Sequence, residues 1–265
     1  MNLNDAMTKV SKFIKTSGEL ALNNWNNLEK EIHIDGVDVT TNTDKEIEKN
    51  FSEFVASNFP EAGFKGEEFA QLNKDAEYVW QIDPIDGTKF YAQGIPFWTI
   101  TIALTQNNEP IMGLVYYPVS NQLYTAIKNE GAYLNGKKIQ VNQETNLQKI
   151  QISLDLAFSG SQIDERKDKV LPMLESIYKS VYRVRTLGSG AISLAWLAQG
   201  FFGAYVSPYR PSNKFVDIYG GMIIAMEAGA SVYKSKIPGE DMYNFILGNK
   251  EVVDQLIPLL GDLSK

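Results

Sequence analysis

The sequence predicts a mixed α/β protein in which sheet layers are covered by helices. Three observations carry this: helical periodicity near the start, a middle stretch of β-branched and aromatic runs separated by turn residues, and a second half in which short strands and helices alternate.

The elements follow in order. Leu3, Met7, Val10, Ile14, Ala21, Trp25 and Leu28 recur at helical spacing and predict one long amphipathic helix. Thr43-Asp44-Lys45-Glu46 has the form of a capping box. Ile47, Phe51, Phe54 and Val55 share a face beyond it, and Pro60 lies past the predicted end, so a second helix starts with Asp44 in its first turn. Residues 78–82, 98–104, 111–117 and 123–127 then read as strands. Turn signals at Asn107-Asn108, 118–121, 129–131 and Asn135-Gly136 make them an antiparallel meander packed on the two helices. Further on, strands are expected at 150–156, 181–187, 203–206, 231–233 and 245–247, with helices at 164–178, 191–198, 217–228 and 252–260. The expected lobes are 1–145, an α+β unit with most of the metal ligands, and 146–265, an α/β unit that contributes Asp217 and a substrate loop.

Composition narrows the chemistry. The 265 residues carry 25 basic and 32 acidic side chains, a net charge of −7. That argues against nucleic-acid binding, which needs a positive field, but not against a small phosphate, because bound cations reverse the local sign. With no cysteine and one histidine, thiolate chemistry and His-rich zinc sites are excluded, and any metal must sit among oxygens. The start lacks an apolar signal core, and residues 191–206 are too short and interrupted to span a bilayer. A cytoplasmic protein with no membrane partner is expected.

Three acidic segments point to that metal: Gly66-Glu67-Glu68; Asp83-Pro84-Ile85-Asp86-Gly87-Thr88 after an apolar strand; and Asp217 before a helix of small residues. Singly, each is more often a solvated cap or turn former. Together they form a set of hard donors. Asp83 ends an apolar run, where a carboxylate is costly without a partner. Two carboxylates on one rigid turn can bridge paired cations about 4 Å apart, which clamp the attacking and leaving oxygens of a phosphoryl displacement. Gly87 allows a tight turn, Thr88 can cap the next element, and their amides would face phosphate oxygens.

These segments resemble the inositol monophosphatase family of lithium-sensitive magnesium phosphatases. The hexapeptide from Asp83 to Thr88 is similar to the family's central signature. Gly66-Glu67-Glu68 is similar to its upstream element, and Val216-Asp217 with Glu227-Ala228-Gly229 to its C-terminal one. The stretch from Asp38 to Asp44 is similar to a further element. The resemblance implies a five-layer α-β-α-β-α sandwich, often a homodimer. It implies that Glu68, Asp83 and the Ile85 carbonyl bind one Mg²⁺ and that Asp83, Asp86 and Asp217 bind a second. Glu68 would also touch a third, weakly held ion. Mn²⁺ would substitute and Li⁺ inhibit. Thr88 paired with Asp44, together with Glu68, would orient and deprotonate water. Asp86, Gly87, Thr88, Gly188, Ser189, Gly190, Arg210 and Asp217 are the substrate-binding candidates.

Two departures bear on the substrate. His33 aligns where many members have a lysine. Residues 207–214 form a longer, basic loop without the glutamate of inositol-preferring members, similar to archaeal members that also accept fructose bisphosphate. Gly94-Ile95-Pro96-Phe97-Trp98 resembles the histidinol-phosphate branch. The expected function is hydrolysis of a small soluble phosphate monoester, inositol monophosphate or a related sugar phosphate. Histidinol phosphate, fructose 1,6-bisphosphate and 3′,5′-adenosine bisphosphate are the alternatives within this chemistry. The alternative from another class is a catalytically dead, metal-binding partner protein.

Overall fold

The structure, a computed structural model, describes residues 1–25, 29–32, 39–67, 72–73, 75–156 and 160–260; of 30–32 and 160–165 it describes the backbone only. His33, Asp38 and Glu68 therefore lie outside the described residues.

The chain opens with α1 (Leu3–Asn24), β1 (Lys30–Ile32), β2 (Val39–Thr41) and α2 (Asn42–Asn58). The Asn2 side chain caps α1 by accepting from the amides of Asn4 and Asp5, and Ala6, Val10, Ile14 and Ala21 form its buried face. The capping box of α2 differs from the expected one: Thr41 is the cap and Asp44 its reciprocal partner. The helix starts earlier because the Asp44 carboxylate reaches back to the Thr41 amide at 2.9 Å.

A seven-stranded sheet comes next, in the order β3-β4-β5-β6-β7-β8-β9. Its strands are β3 (Gly63–Lys65), β4 (Tyr78–Asp86), β5 (Thr99–Gln106), β6 (Glu109–Tyr117), β7 (Gln122–Ile127), β8 (Gly131–Leu134) and β9 (Lys137–Ile139). All neighbours are antiparallel except β3 and β4. Short α3 (Thr88–Ala92) lies between β4 and β5. Asn107-Asn108 and Asn135-Gly136 form two-residue hairpin loops with φ of 51°, 66°, 48° and 78°. That left-handed backbone matches strand twist and suits Asn and Gly. The meander thus runs two strands further than its hydrophobic runs suggest, because β8 and β9 are half exposed.

The second half builds β10 (Gln151–Leu154), α4 (Gly160–Ser180), β11 (Arg183–Arg185), α5 (Gly190–Ala198), β12 (Ala204–Pro211), α6 (Val216–Glu227), β13 (Ser231–Lys236), β14 (Met242–Gly248) and α7 (Lys250–Leu256). Its sheet has the order β11-β10-β12-β14-β13. Residues 207–214 are not the expected loop. β12 continues through them to Pro211 and pairs with β14 up to Met242, and a short 3₁₀ turn, Ser212–Phe215, succeeds it.

Strand alternation divides the interior into three cores. Ile100, Ile102 and Leu104 of β5 face α1 and α2, whereas Ala103 faces the middle. In β14, Phe245 and Leu247 face the middle and Ile246 faces α4 and α7. The layers are therefore α1/α2, the seven-stranded sheet, α5/α6, the five-stranded sheet and α4/α7, which is the expected five-layer sandwich. Sandwiched between two sheets, α5 and α6 are apolar on every side.

The middle layer sits close to the first sheet. A Cβ on Gly113 of β6 would lie 2.3 Å from the carbonyl of Gly220 in α6, and one on Gly220 would lie 2.3 Å from Thr101 Oγ1. This approach brings the start of α6 beside the end of β4. Gly113→Ala forces backbone apart and is expected to cost about 1–3 kcal/mol or more of unfolding free energy, as overpacking does. Urea denaturation checks it; an unchanged midpoint would contradict the close approach.

Candidate active site

β4 carries the central pair of carboxylates. Asp83 pairs with Thr101 and Asp86 with Thr99, so three steps along β4 oppose two along β5. This bulge absorbs one residue. Carboxylates three apart, which an unbroken strand would send to opposite faces, both line one cleft. Gly87 then takes φ 97°, and a Cβ there would stand 2.9 Å from the Phe97 carbonyl. Only glycine meets both conditions. The Asp83 carboxylate accepts from the Ile85 amide at 3.1 Å, which orients it.

Glu67 and Asp217 complete the cluster. One ligand oxygen each from Glu67, Asp83 and Asp217 lies within 4.8 Å of the others. The preceding residue, Gly66, is pressed against Glu48 of α2, whose carboxylate accepts the Glu67 amide at 2.9 Å. The sequence expectation at this position is Glu68. Glu68 lies outside the described residues, so it stays an expectation; among the described residues its neighbour Glu67 offers a carboxylate to the cluster. Asp217 stands in the first turn of α6. Its Oδ1 is buried and makes no hydrogen bond among the described residues.

Asp86 is held by the middle layer. Its Oδ2 accepts from Ser189 Oγ at 2.6 Å and from the Ala191 amide at 3.0 Å. A carboxylate from the first sheet thus satisfies the start of α5. Thr88 is the first residue of α3 rather than its cap. Its hydroxyl donates to the Ile85 carbonyl at 2.8 Å and stands 3.3 Å from Asp44 Oδ1. The other Asp44 oxygen accepts from both the amide and the hydroxyl of Thr41.

Several substrate-side expectations need correction. Gly87, Thr88, Asp86, Asp217 and Gly188 line the cleft of about 790 Å³. Ser189 is turned inward to Asp86. Gly190 packs against Ile218 and Asp155, where a Cβ would meet atoms at 2.7 and 3.2 Å. Arg210 does not reach the cleft: it is 2% exposed and pairs with Asp155 and Asp217. It lies on a paired strand instead of a loop, which directs it into the middle layer. The cleft's cationic lining comes from Lys65, Lys89 and Lys214, the last 3.7 Å from Glu67.

Burial crowds the negative charges. It raises Asp83, with Glu67 adding to the effect. Burial pushes Asp86 up to about 7 against the Ser189 hydrogen bond. Glu67, whose side chain is 27% exposed, is pushed up to about 8 by desolvation and then by Asp217. Asp217 is also raised by burial, opposed by Arg210 and Lys214. Clustered carboxylates, all-oxygen donors and a buried Asp217 Oδ1 without a hydrogen bond among the described residues fit a hard divalent cation.

A model of the inositol monophosphatase family matches residues 3–254. The fructose-1,6-bisphosphatase/inositol-1-monophosphatase of Aquifex aeolicus is 32% identical over 222 residues, covering 83% of this chain and 81% of that protein. The solved IMPase of Thermotoga maritima superposes with a TM-score of 0.82 at 26% identity, covering 98% of each chain. A solved IMPase/NADP phosphatase complexed with Mg²⁺ and phosphate gives 0.81 at 23% identity, covering 98% of this chain and 97% of that one, a likeness of fold alone.

The raised carboxylates set a pH dependence. The folded protein keeps protons on Glu67 and Asp86 that the unfolded chain has released, so the contribution of these two groups to stability is full below about pH 4 and is lost as pH rises through about 7 and 8. In chelator, the melting temperature is therefore expected to fall between about pH 5 and about pH 8. A rise across that window would contradict the crowding of the four carboxylates.

Proposed function

The chain belongs to the inositol monophosphatase family, whose members hydrolyse phosphate monoesters, and on that premise we propose that it is a Mg²⁺-dependent phosphatase of inositol monophosphate or a related sugar phosphate. The observation that carries this reading is the convergence of Glu67, Asp83 and Asp217 within 4.8 Å.

In this reading Glu68, Asp83 and the Ile85 carbonyl would hold one Mg²⁺, with Glu67 a further donor beside Asp83 and Asp217, and Asp83, Asp86 and Asp217 would hold another. The Ile85 carbonyl has a second lone pair beside the one used by Thr88. Bound Mg²⁺ supplies Lewis-acid polarisation of the phosphate and acidifies the attacking water. The protein supplies position and proton transfer. The Thr88 hydroxyl, which donates to the Ile85 carbonyl at 2.8 Å, would turn its single proton to Asp44 Oδ1, 3.3 Å away, as its oxygen accepts a proton from the attacking water. Thr41 fixes the Asp44 carboxylate for this. Gly87 and Gly188 leave room for the ester at the cleft wall.

A second reading, that fructose 1,6-bisphosphate is also accepted, has its own support. Lys65, Lys89 and Lys214 line the cleft and suit a second phosphate, and the Aquifex aeolicus relative bears both activities in its name. The remaining expectations belong to the same proposal: Mn²⁺ as substitute, inhibition by Li⁺ through a weakly held third ion, a homodimer of two-lobed subunits divided near residue 145, and action in the cytoplasm. No helix among the described residues is long and apolar enough to cross a membrane.

Phosphate release from inositol monophosphate, fructose 1,6-bisphosphate, histidinol phosphate and 3′,5′-adenosine bisphosphate tests the substrate. Turnover of none of them with Mg²⁺ would reject the proposal. Glu68→Gln is expected to lower kcat by about 100-fold or more, as loss of a metal ligand does, and Glu67→Gln to lower it as well. Wild-type kcat in both variants would remove the ligand role from this segment. Thr88→Ala is expected to lower kcat by about 100-fold with a small change in KM, since proton transfer acts in the transition state. A change confined to KM would leave Thr88 a binding role only.

A further inference from the structure

Arg210 is a buried cation that touches neither the cleft nor solvent. Its five donors are all engaged. Nε donates to Ser207 Oγ at 3.0 Å, Nη1 to the Lys214 carbonyl at 3.0 Å, and Nη2 to Tyr205 OH at 3.2 Å and to Asp155 Oδ2. The remaining donor, on Nη1, faces Asp217 Oδ2 at an ion-pair distance of 3.5 Å. Tyr205 OH donates to the same Asp155 oxygen at 2.7 Å. A guanidinium fork can satisfy so many acceptors in fixed geometry; an ammonium cannot.

The strand is bent to place it. The β12–β14 register shifts between Ser207 and Arg210, and Tyr209 takes φ 53°, uncommon for a side chain of that size. Tyr209 goes to the outer core, and Arg210 goes to the middle layer. There the two helix starts converge. Arg210 holds the α6 start twice, through the Lys214 carbonyl and Asp217. Asp155 abuts the α5 start, where a Gly190 Cβ would stand 3.2 Å from its Oδ2. The same α5 start holds Asp86.

We infer that Arg210 and Asp155 are positioning residues that set the separation of Asp86 and Asp217, and thereby the affinity of the cation these two carboxylates share. The inference rests on the metal assignment proposed above. The bridge turns Asp217 Oδ2 back toward the guanidinium and leaves Oδ1, buried and without a hydrogen bond among the described residues, as the oxygen on the side of Glu67 that a cation could take. Neither residue touches substrate.

Mn²⁺ binding monitored by electron paramagnetic resonance tests this without turnover. Removing one partner alone leaves a buried charge and endangers the fold. The main variant is therefore the neutral pair Arg210→Met with Asp155→Leu, checked for a cooperative melt in chelator. The expected result is Mn²⁺ binding weakened by about tenfold or more, the usual worth of an outer partner of a metal ligand. Arg210→Lys, which keeps the charge but loses the fork, is expected to bind several-fold more weakly with KM for the phosphate ester unchanged. Wild-type Mn²⁺ affinity in the folded pair variant, or in Arg210→Lys if the pair does not fold, would overturn the inference. Wild-type protein that binds no Mn²⁺ would instead overturn the metal assignment beneath it.

Discussion

Mutual repulsion among clustered carboxylates is the constraint on which this structure turns. Glu67, Asp83 and Asp217 bring oxygens within 4.8 Å of one another, and Asp86 stands on the same bulge. At that spacing each like-charged pair costs on the order of 3 kcal/mol at an effective dielectric near 20. No chain segment would hold these groups together for local reasons. They come from α6, from β4 and from the turn after β3, and the packing of two layers forces them into one cleft.

The surrounding fold can be understood as the means of holding those charges in place against their repulsion. Each carboxylate has a named restraint: the Ile85 amide of the same strand fixes Asp83, and other elements fix the rest, Glu48 of α2 the Glu67 backbone, the α5 start Asp86 and Arg210 of β12 Asp217. The restraints satisfy some oxygens and leave others for a ligand. Glycines at 113 and 220 bring the middle helices close enough for this to work. A cation bound there would recover stability given up by crowding anions, and under the proposed metal assignment its affinity would depend on the integrity of the middle layer.

Much of the fold is legible in the sequence because the signals are local. The periodicity of Val10, Ile14 and Ala21, the paired asparagine and Asn-Gly turns, and the uniformly apolar helices each arise from residues within one element. Half-exposed β8 and β9 carry weak hydrophobic alternation, so the turn residues around them outweigh it in the sequence. The capping box of α2 lies two residues earlier than expected. Two threonines, Thr41 and Thr43, each precede a suitable acid, and only the actual turn geometry selects between them.

The sequence by itself determined the chemistry: an all-oxygen donor set, the Asp83 to Thr88 hexapeptide and a glycine where the backbone must turn left-handed. Those depend on residue type and short spacing, which the chain carries in itself. The tertiary structure alone decided that Glu67 enters the cluster and that Arg210 serves Asp217 from within the core. Which carboxylates from distant segments share one cleft depends on register set by packing partners far along the sequence. Arg210 shows the same dependence: its neighbours Asp155 and Asp217 are 55 and 7 residues away, and only the slip in β12 brings them together around one guanidinium.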